Sequence, residues 1–263
     1  MASGRMEFHC DTLMQHANFT FVLPNDAAME MIREPRHYDR EPLNLILLHG
    51  LTGTDTDWLY GGNAQTMAEQ YNINIFMPTT GNSFYLDRGY AGGNYAEFVA
   101  EELPDYIQKT FRIDMRRDNT MIGGLSMGGY GALHLALTRP ERFCGCIALS
   151  SAAVIKTVAS GKRQPHDLLP PGLVLEIFGD PSKLTGSDRD IEAQFKRLKE
   201  SGADMPRIYM AVGTEDALIN ANRELRDNLR ELGADLIYEE GPGKHDWFFW
   251  NEYVERGLKA LIG

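Results

Sequence analysis

The chain has 263 residues, 43% of them apolar and 24% charged, with a formal net charge of −11. That length and balance describe a globular chain able to bury its own core without disulfide or metal staples. The acidic surplus is unbroken by any basic cluster, which argues against nucleic acid or an anionic membrane surface as partner.

Residues 1–5 read as an appended tail ahead of an alternative start at Met6, and a first strand is expected over residues 18–23. Leu43–Leu48 is apolar at all but one position, the pattern of a strand buried on both faces. A third strand over residues 74–77 runs into Pro78, and residues 94–111 carry a helical period. Residues 120–122 form a short strand entering a glycine-rich turn, and Met127–Thr138 is a helix stopped before Pro140. Strands follow over residues 144–149, 207–212 and 235–238, with helices near residues 220–232 and 247–261. This alternation indicates an α/β fold with a mainly parallel central sheet and helices on both faces. Only residues 152–205 break the rhythm, being longer than one connection needs. They read as an insertion or small cap, with a charged helix near Ile191–Ser201, inside one domain spanning residues 1–263.

The three cysteines, Cys10, Cys144 and Cys146, are sparse and odd in number, which suits a reducing compartment. Cys144 and Cys146 lie two apart in a strand-like run and are expected to point the same way as small buried residues. No stretch reaches the ~20 apolar residues of a membrane span, and the N-terminus has no signal-like apolar run. A cytoplasmic protein is expected. A start at Met6 would leave room for a removed signal sequence and a secreted form.

Chemistry concentrates in the run Thr120-Met-Ile-Gly-Gly-Leu-Ser-Met-Gly-Gly-Tyr-Gly131, where Gly124, Leu125, Ser126, Met127 and Gly128 spell G-x-S-x-G between a strand and a helix. A sharp strand-to-helix turn holds the serine in strained geometry and exposes its hydroxyl at a helix N-terminus. A glycine-rich turn whose serine merely caps the helix is the alternative. A serine hydroxyl needs a base. Among seven histidines, His245 in Gly-Pro-Gly-Lys-His-Asp-Trp247 follows the last strand and opens the final helix, which satisfies the order serine, acid, histidine of the α/β-hydrolase fold. His9, His16 and His37 precede the core strands, His134 lies two turns along the elbow helix, and His166 sits in the insertion. The acid must leave a strand end between Ser126 and His245, where Glu215 and Asp216 both qualify. An oxyanion hole needs a second N–H besides that of Met127, and the turn His49-Gly-Leu-Thr-Gly-Thr54 after Leu43–Leu48 supplies one, best at Leu51. The histidines and cysteines show no metal-ligand spacing, so neither metal nor other cofactor is expected.

From about Leu43 onward the chain resembles the esterase family that includes tributyrin esterases, S-formylglutathione hydrolases, and feruloyl and acetylxylan esterases. The blocks LILLHGLTGTDTDW, EELPDYIQKTF, MIGGLSMGGYGALHLAL, AVGTED and GKHDW carry the resemblance, and YAEFVAEELP with GLSMGGYGAL is most similar to the bacterial tributyrin esterases. The resemblance implies Asp216 as the acid, so that Ser126, Asp216 and His245 form a triad with Leu51 and Met127 as oxyanion donors. It also implies a serine esterase acting on small-molecule esters, with dimers or tetramers common among relatives. S-formylglutathione hydrolases tend to carry cysteine where this chain has Gly53 and histidine where it has Leu125, which lowers that reading. Acyl transfer to an alcohol or sugar uses the same triad and stands as a rival, and a non-catalytic binding scaffold is disfavoured by the intact set of groups.

Aromatic residues gather around these motifs: Trp58, Tyr60, Phe84, Tyr85, Tyr90, Tyr95 and Trp247. Trp58 and Trp247 are the candidate substrate contacts, able to stack on a phenolic acyl group, with plain packing as the alternative. Leu168, Leu169, Leu173, Val174, Leu175, Ile177 and Phe178 form an apolar cluster in the insertion that either walls the pocket or anchors the segment on the core. The chain has no long apolar lid of the lipase kind, so short acyl esters are expected over long-chain lipids.

Overall fold

The computed structural model describes residues 1–161 and 169–263. Among these, eight strands form one sheet: β1 (Ala2–Cys10), β2 (Gln15–Leu23), β3 (Leu43–Leu48), β4 (Ile73–Pro78), β5 (Thr120–Leu125), β6 (Gly145–Leu149), β7 (Arg207–Gly213) and β8 (Leu236–Gly241). Their order is β1-β2-β4-β3-β5-β6-β7-β8. The six strands from β4 to β8 run parallel, while β1 and β2 pair antiparallel with each other and β2 pairs antiparallel with β4. The helices are α1 (Asp57–Tyr60), α2 (Ala64–Tyr71), α3 (Tyr95–Glu97), α4 (Leu103–Phe111), α5 (Met127–Thr138), α6 (Ile155–Ala159), α7 (Pro171–Phe178), α8 (Ile191–Ser201), α9 (Ile219–Glu231) and α10 (Trp247–Ile262). This is an α/β-hydrolase architecture.

Period-two alternation in the central strands divides the core into two layers. Ile46, Leu48, Ile122, Cys146, Ala148, Ile208 and Met210 face the layer that contains Tyr130, Leu133 and Leu137 of α5. Their neighbours Leu45, Leu47, Met121, Ile147, Leu149, Tyr209 and Ala211 face the layer of α2 and α10. A strand that must satisfy both layers has no room for polar side chains, which is why β3 is nearly all aliphatic. Helix α5 is buried on nearly every side, and each of its fully buried leucines contributes about 1.5–3 kcal/mol.

The expected helix over residues 94–111 forms, but with a π turn at Phe98–Glu102 between α3 and α4. Pro104 has no N–H to give to the preceding turn, so the regular ladder is interrupted there. Glu102 in that turn accepts from the backbone of Asp11 (2.7 Å) and Thr12 (2.9 Å) and so ties down the β1–β2 hairpin.

Residues 1–5 belong to the sheet: β1 pairs with β2 from Ala2 to Cys10, and Arg5 bonds the buried Asp55 at 2.7 Å. One expectation needs correction. Cys144 and Cys146 pack into opposite layers, because Cys144 precedes the strand and strand alternation does not govern it. All three cysteines are unpaired. No described helix is long and apolar enough to cross a membrane.

Candidate active site

Strand β5 delivers Ser126 to the sheet's C-terminal edge. Its backbone there has φ 55° and ψ −117°, a region that non-glycine residues enter only under strain. The turn survives because its neighbours lack side chains: a Cβ on Gly128 would sit 2.5 Å from the Leu48 carbonyl oxygen. Hydrogen bonds from Ser126 N–H to Leu149 O (2.9 Å) and from Ala152 N–H to Ser126 O (2.9 Å) lock the bend against β6.

The loops leaving β7 and β8 bring the other two groups together. Thr214 N–H donates to Gly241 O at 2.8 Å and Glu215 N–H to Gly243 O at 2.9 Å, so the pairing of the two strands continues beyond their ends. Gly213 permits this approach, since a Cβ there would lie 2.3 Å from Gly243 O. At the end of these loops His245 Nδ1 lies 2.9 Å from Asp216 Oδ2. Asp216 is fully buried, whereas Glu215 is exposed. Asp246 faces away and caps α10 by accepting from Phe249 N–H at 3.1 Å. Of the three neighbouring carboxylates, Asp216 alone meets the imidazole.

Burial by itself would raise the Asp216 carboxyl. Hydrogen bonds from His245, the Leu218 N–H (2.8 Å to Oδ1) and the Ser150 hydroxyl outweigh it and hold the group below the ordinary aspartate range. Asp216 is therefore ionised at neutral pH. It accepts the Nδ1 proton, which leaves Nε2 as the basic nitrogen. His245 makes no hydrogen bond to Ser126 among the described residues, and its side chain is 36% exposed toward the cavity that both line. Such loose apo geometry is ordinary before substrate binds.

The turn after β3 is held from several sides. Buried His49 donates from Nδ1 to Gly50 O (2.7 Å) and accepts at Nε2 from Thr80 N–H (3.1 Å), and burial lowers its pKa, so the ring stays neutral. Thr52, at φ 64°, donates its N–H to Asn82 Oδ1 at 2.7 Å. Between them the Leu51 N–H donates to no described residue. Met127 is the first residue of α5, so its N–H has no acceptor within the helix. The two residues follow β3 and β5, neighbouring strands of the sheet, and both line the same cavity.

That cavity measures about 600 Å³. Ser126, Asp216 and His245 form its polar floor, while Phe84, Val154, Val158, Leu169, Val174 and Leu175 supply most of its apolar wall. The insertion cluster divides accordingly. Leu169, Val174 and Leu175 line the cavity, Ile177 and Phe178 are fully buried anchors, Leu173 packs on the core, and Leu168 lies outside the described residues, as does His166.

Trp58 and Trp247 do not line the cavity, which corrects their expected role. Trp58 is 1% exposed and donates its indole N–H to Leu48 O at 3.0 Å, and Trp247 packs edge-on against it with ring centroids 5.1 Å apart. They brace the walls from behind. Among the other aromatics near these motifs only Phe84 reaches the cavity: Tyr85 is buried with its hydroxyl on His49 O, Tyr60 and Tyr90 are exposed, and Tyr95 lies under the Arg88 guanidinium.

Sequence reasoning missed two neighbours of the Asp216–His245 pair. Buried Ser150, directly after β6, has φ 44° and accepts from the Trp250 indole N–H at 3.1 Å. The Trp250 ring stands perpendicular to His245 with centroids 4.9 Å apart. The available signals were a serine closing an otherwise apolar strand beside the elbow, and a tryptophan one turn beyond the histidine.

The family described as Putative esterase matches residues 18–261. An acetyl esterase of Caldicellulosiruptor saccharolyticus is 38% identical over 99% of this chain and 98% of its own length. The solved structure of FphF, a fluorophosphonate-binding serine hydrolase of Staphylococcus aureus with substrate bound, superposes with a TM-score of 0.84 at 25% identity, covering 100% of this chain and 98% of that one. An S-formylglutathione hydrolase structure from the same organism shares the fold, with a TM-score of 0.82 at 24% identity and coverage of 100% and 99%. Match length and identity together place the chain in the Putative esterase family, as an ester hydrolase.

Proposed function

We propose that this esterase is a serine carboxylesterase that cleaves short-chain acyl esters through an acyl-enzyme. Ser126 is the nucleophile, His245 the general base and Asp216 the acid that orients it. The observation that carries the reading is the Asp216–His245 hydrogen bond set beside a strained serine at the floor of one apolar cavity. Ser126 Oγ attacks the ester carbonyl while His245 Nε2 takes its proton. The Leu51 and Met127 N–H groups hold the oxyanion, and the imidazolium then protonates the leaving alcohol. Water repeats the sequence on the acyl-enzyme, freeing the acid and restoring the serine.

The acetyl esterase relative supports a small acyl group. A cavity of about 600 Å³ exceeds what acetyl or butyryl fills, so its apolar wall is left for the alcohol part of the ester. Residues 152–205 then act as an insertion in a single catalytic domain, supplying that wall. The unpaired thiols support a reducing, cytoplasmic setting.

Ser126→Ala is expected to fold normally and to lose activity on p-nitrophenyl acetate by about a thousandfold or more. A fluorophosphonate probe should label the parent protein at one residue and leave the variant unlabelled. An active alanine variant, or labelling of another serine, rejects the assignment. A rate that climbs from acetyl to long-chain esters rejects the acyl preference alone.

A further inference from the structure

We propose that Ser150 and Trp250 are positioning residues for the Asp216–His245 pair, the Trp250 N–H orienting the Ser150 hydroxyl onto the carboxylate while the Trp250 ring braces the imidazole. The inference rests on the reading of Asp216 as the triad acid and adds to it a second layer of control.

The argument begins with proton accounting. The Ser150 side chain is wholly buried, so its hydroxyl proton must find a protein acceptor. One lone pair already receives the Trp250 indole N–H at 3.1 Å. An indole nitrogen only donates, so the direction of that bond is certain. The hydroxyl proton is then left to turn away from Trp250, and the Ser150 hydroxyl is among the groups that hold the Asp216 carboxyl down. Asp216 Oδ1 is engaged by Leu218 N–H and Oδ2 by the imidazole, so a hydroxyl turned toward the carboxylate would add a third restraint on its rotation.

Backbone strain points the same way. Ser150 sits at φ 44°, a conformation costly for any residue with a Cβ, although its N–H bonds Ala211 O at 2.7 Å in regular sheet fashion. Strain retained at a buried strand end beside the nucleophile strand is accounted for by the direction in which it aims the side chain. Trp250 completes the arrangement. It lies on the first turns of α10, five residues after His245, and touches both members: Ser150 through its N–H and His245 through its ring, at 4.9 Å and an interplanar angle of 86°. One side chain thus couples the acid's orientation to the base's.

The test separates hydroxyl, strain and packing. Trp250→Phe keeps an aromatic ring and removes only the donor. Ser150→Ala removes the hydroxyl and keeps the strain, and Ser150→Gly removes both. All three should lower kcat on p-nitrophenyl acetate about tenfold, with KM within about twofold of the parent. All three should also weaken or shift the far-downfield proton NMR signal of the His245 Nδ1–H, which a merely structural role would leave in place. Circular dichroism checks folding, and if Ser150→Ala does not fold, Ser150→Gly and Trp250→Phe carry the test. Parental kcat in Ser150→Gly, or a parental signal and kcat in Trp250→Phe, overturns the proposal. Asp216→Asn is run alongside: if that variant stays active, the acid assignment itself falls, whereas a crippled Asp216→Asn beside parental Ser150 and Trp250 variants rejects the positioning role alone.

Discussion

The two walls of the cavity are built in different ways. The floor comes from the exits of β3, β5, β7 and β8, where backbone hydrogen bonds pin Ser126 against β6 and join the exits of β7 and β8 ahead of Asp216 and His245. The opposite wall comes from α6, α7 and described residues beside them, where Leu175 is 57% exposed and the described ties include side-chain contacts: Arg88 to Glu176, Arg189 to the carbonyls of Phe178 and Asp87, and the Tyr130 hydroxyl to Arg189 O. Reaction geometry tolerates little displacement, so it sits on the element with the most cooperative hydrogen bonding. Under the proposed reading this wall excludes water and shapes the alcohol site, a task that needs apolar surface and can rest on looser ties.

The largest expected contrast lies within the floor. Asp216→Asn should cut kcat about a thousandfold or more, because the amide can neither stabilise the imidazolium nor enforce the Nδ1–H tautomer. Glu215→Gln and Asp246→Asn should cost far less, one being exposed and the other a helix cap. Steady-state kinetics of the three variants at one pH checks the order, and a crippled Glu215→Gln would move the acid one residue earlier.

A second contrast concerns how the floor is anchored. Buried Asp55, four residues beyond Leu51, accepts from Arg5, Thr20 and Thr79. Burial raises its carboxyl, but these donors outweigh it and the net shift is downward. A folded pKa below the unfolded one means stability that is full above the unfolded value of ~3.9 and lost as pH falls through the folded value. Asp55→Asn should therefore lower stability at pH 7 by about 2 kcal/mol, with a shallower loss than the parent between about pH 5 and pH 2. Denaturant titrations across that range decide it, and parallel curves for the two proteins would refute the role of Asp55.

Substitutions in the opposite wall should act on selectivity. Val174→Ala and Leu175→Ala are expected to change the preference among esters of different alcohols by a few-fold, roughly 1 kcal/mol, and to leave acetate hydrolysis of a small alcohol near the parent rate. A uniform loss on every substrate would show that this wall supports the catalytic groups after all. The smallest effect is expected from Glu176→Gln. Its bond to Arg88 is 2.5 Å long, but the Glu176 side chain is half exposed, and such pairs contribute about 0–1 kcal/mol. A thermal midpoint shift of more than a few degrees would mean that the ion pair holds α7 more firmly than its exposure suggests.

Much of this molecule follows from local pattern. β3, α5 and α8 lie where the periodicity puts them, since each is specified by residues adjacent in sequence: an aliphatic run, a glycine-rich start with a proline stop, and an amphipathic charged helix capped by Asp190. The turn around Ser126 is legible for the same reason, because the motif encodes its own backbone strain. The hairpin strand β1 was not. Only Phe8 and Cys10 of it are fully buried, and it is held by pairing with β2 and by Glu102 and Asp55, which lie far along the chain. The residues alone left Glu215 and Asp216 open and only the resemblance favoured Asp216, whereas the joined exits of β7 and β8 bring that carboxylate to the His245 imidazole. The placing of Trp58 and Trp247 behind the walls, and of Ser150 and Trp250 beside Asp216 and His245, depends on which layer of the sheet each element packs against. Sequence carries what neighbours along the chain impose on one another. Which side chains face the cavity is settled only when distant strands and helices exclude the alternatives by occupying the space.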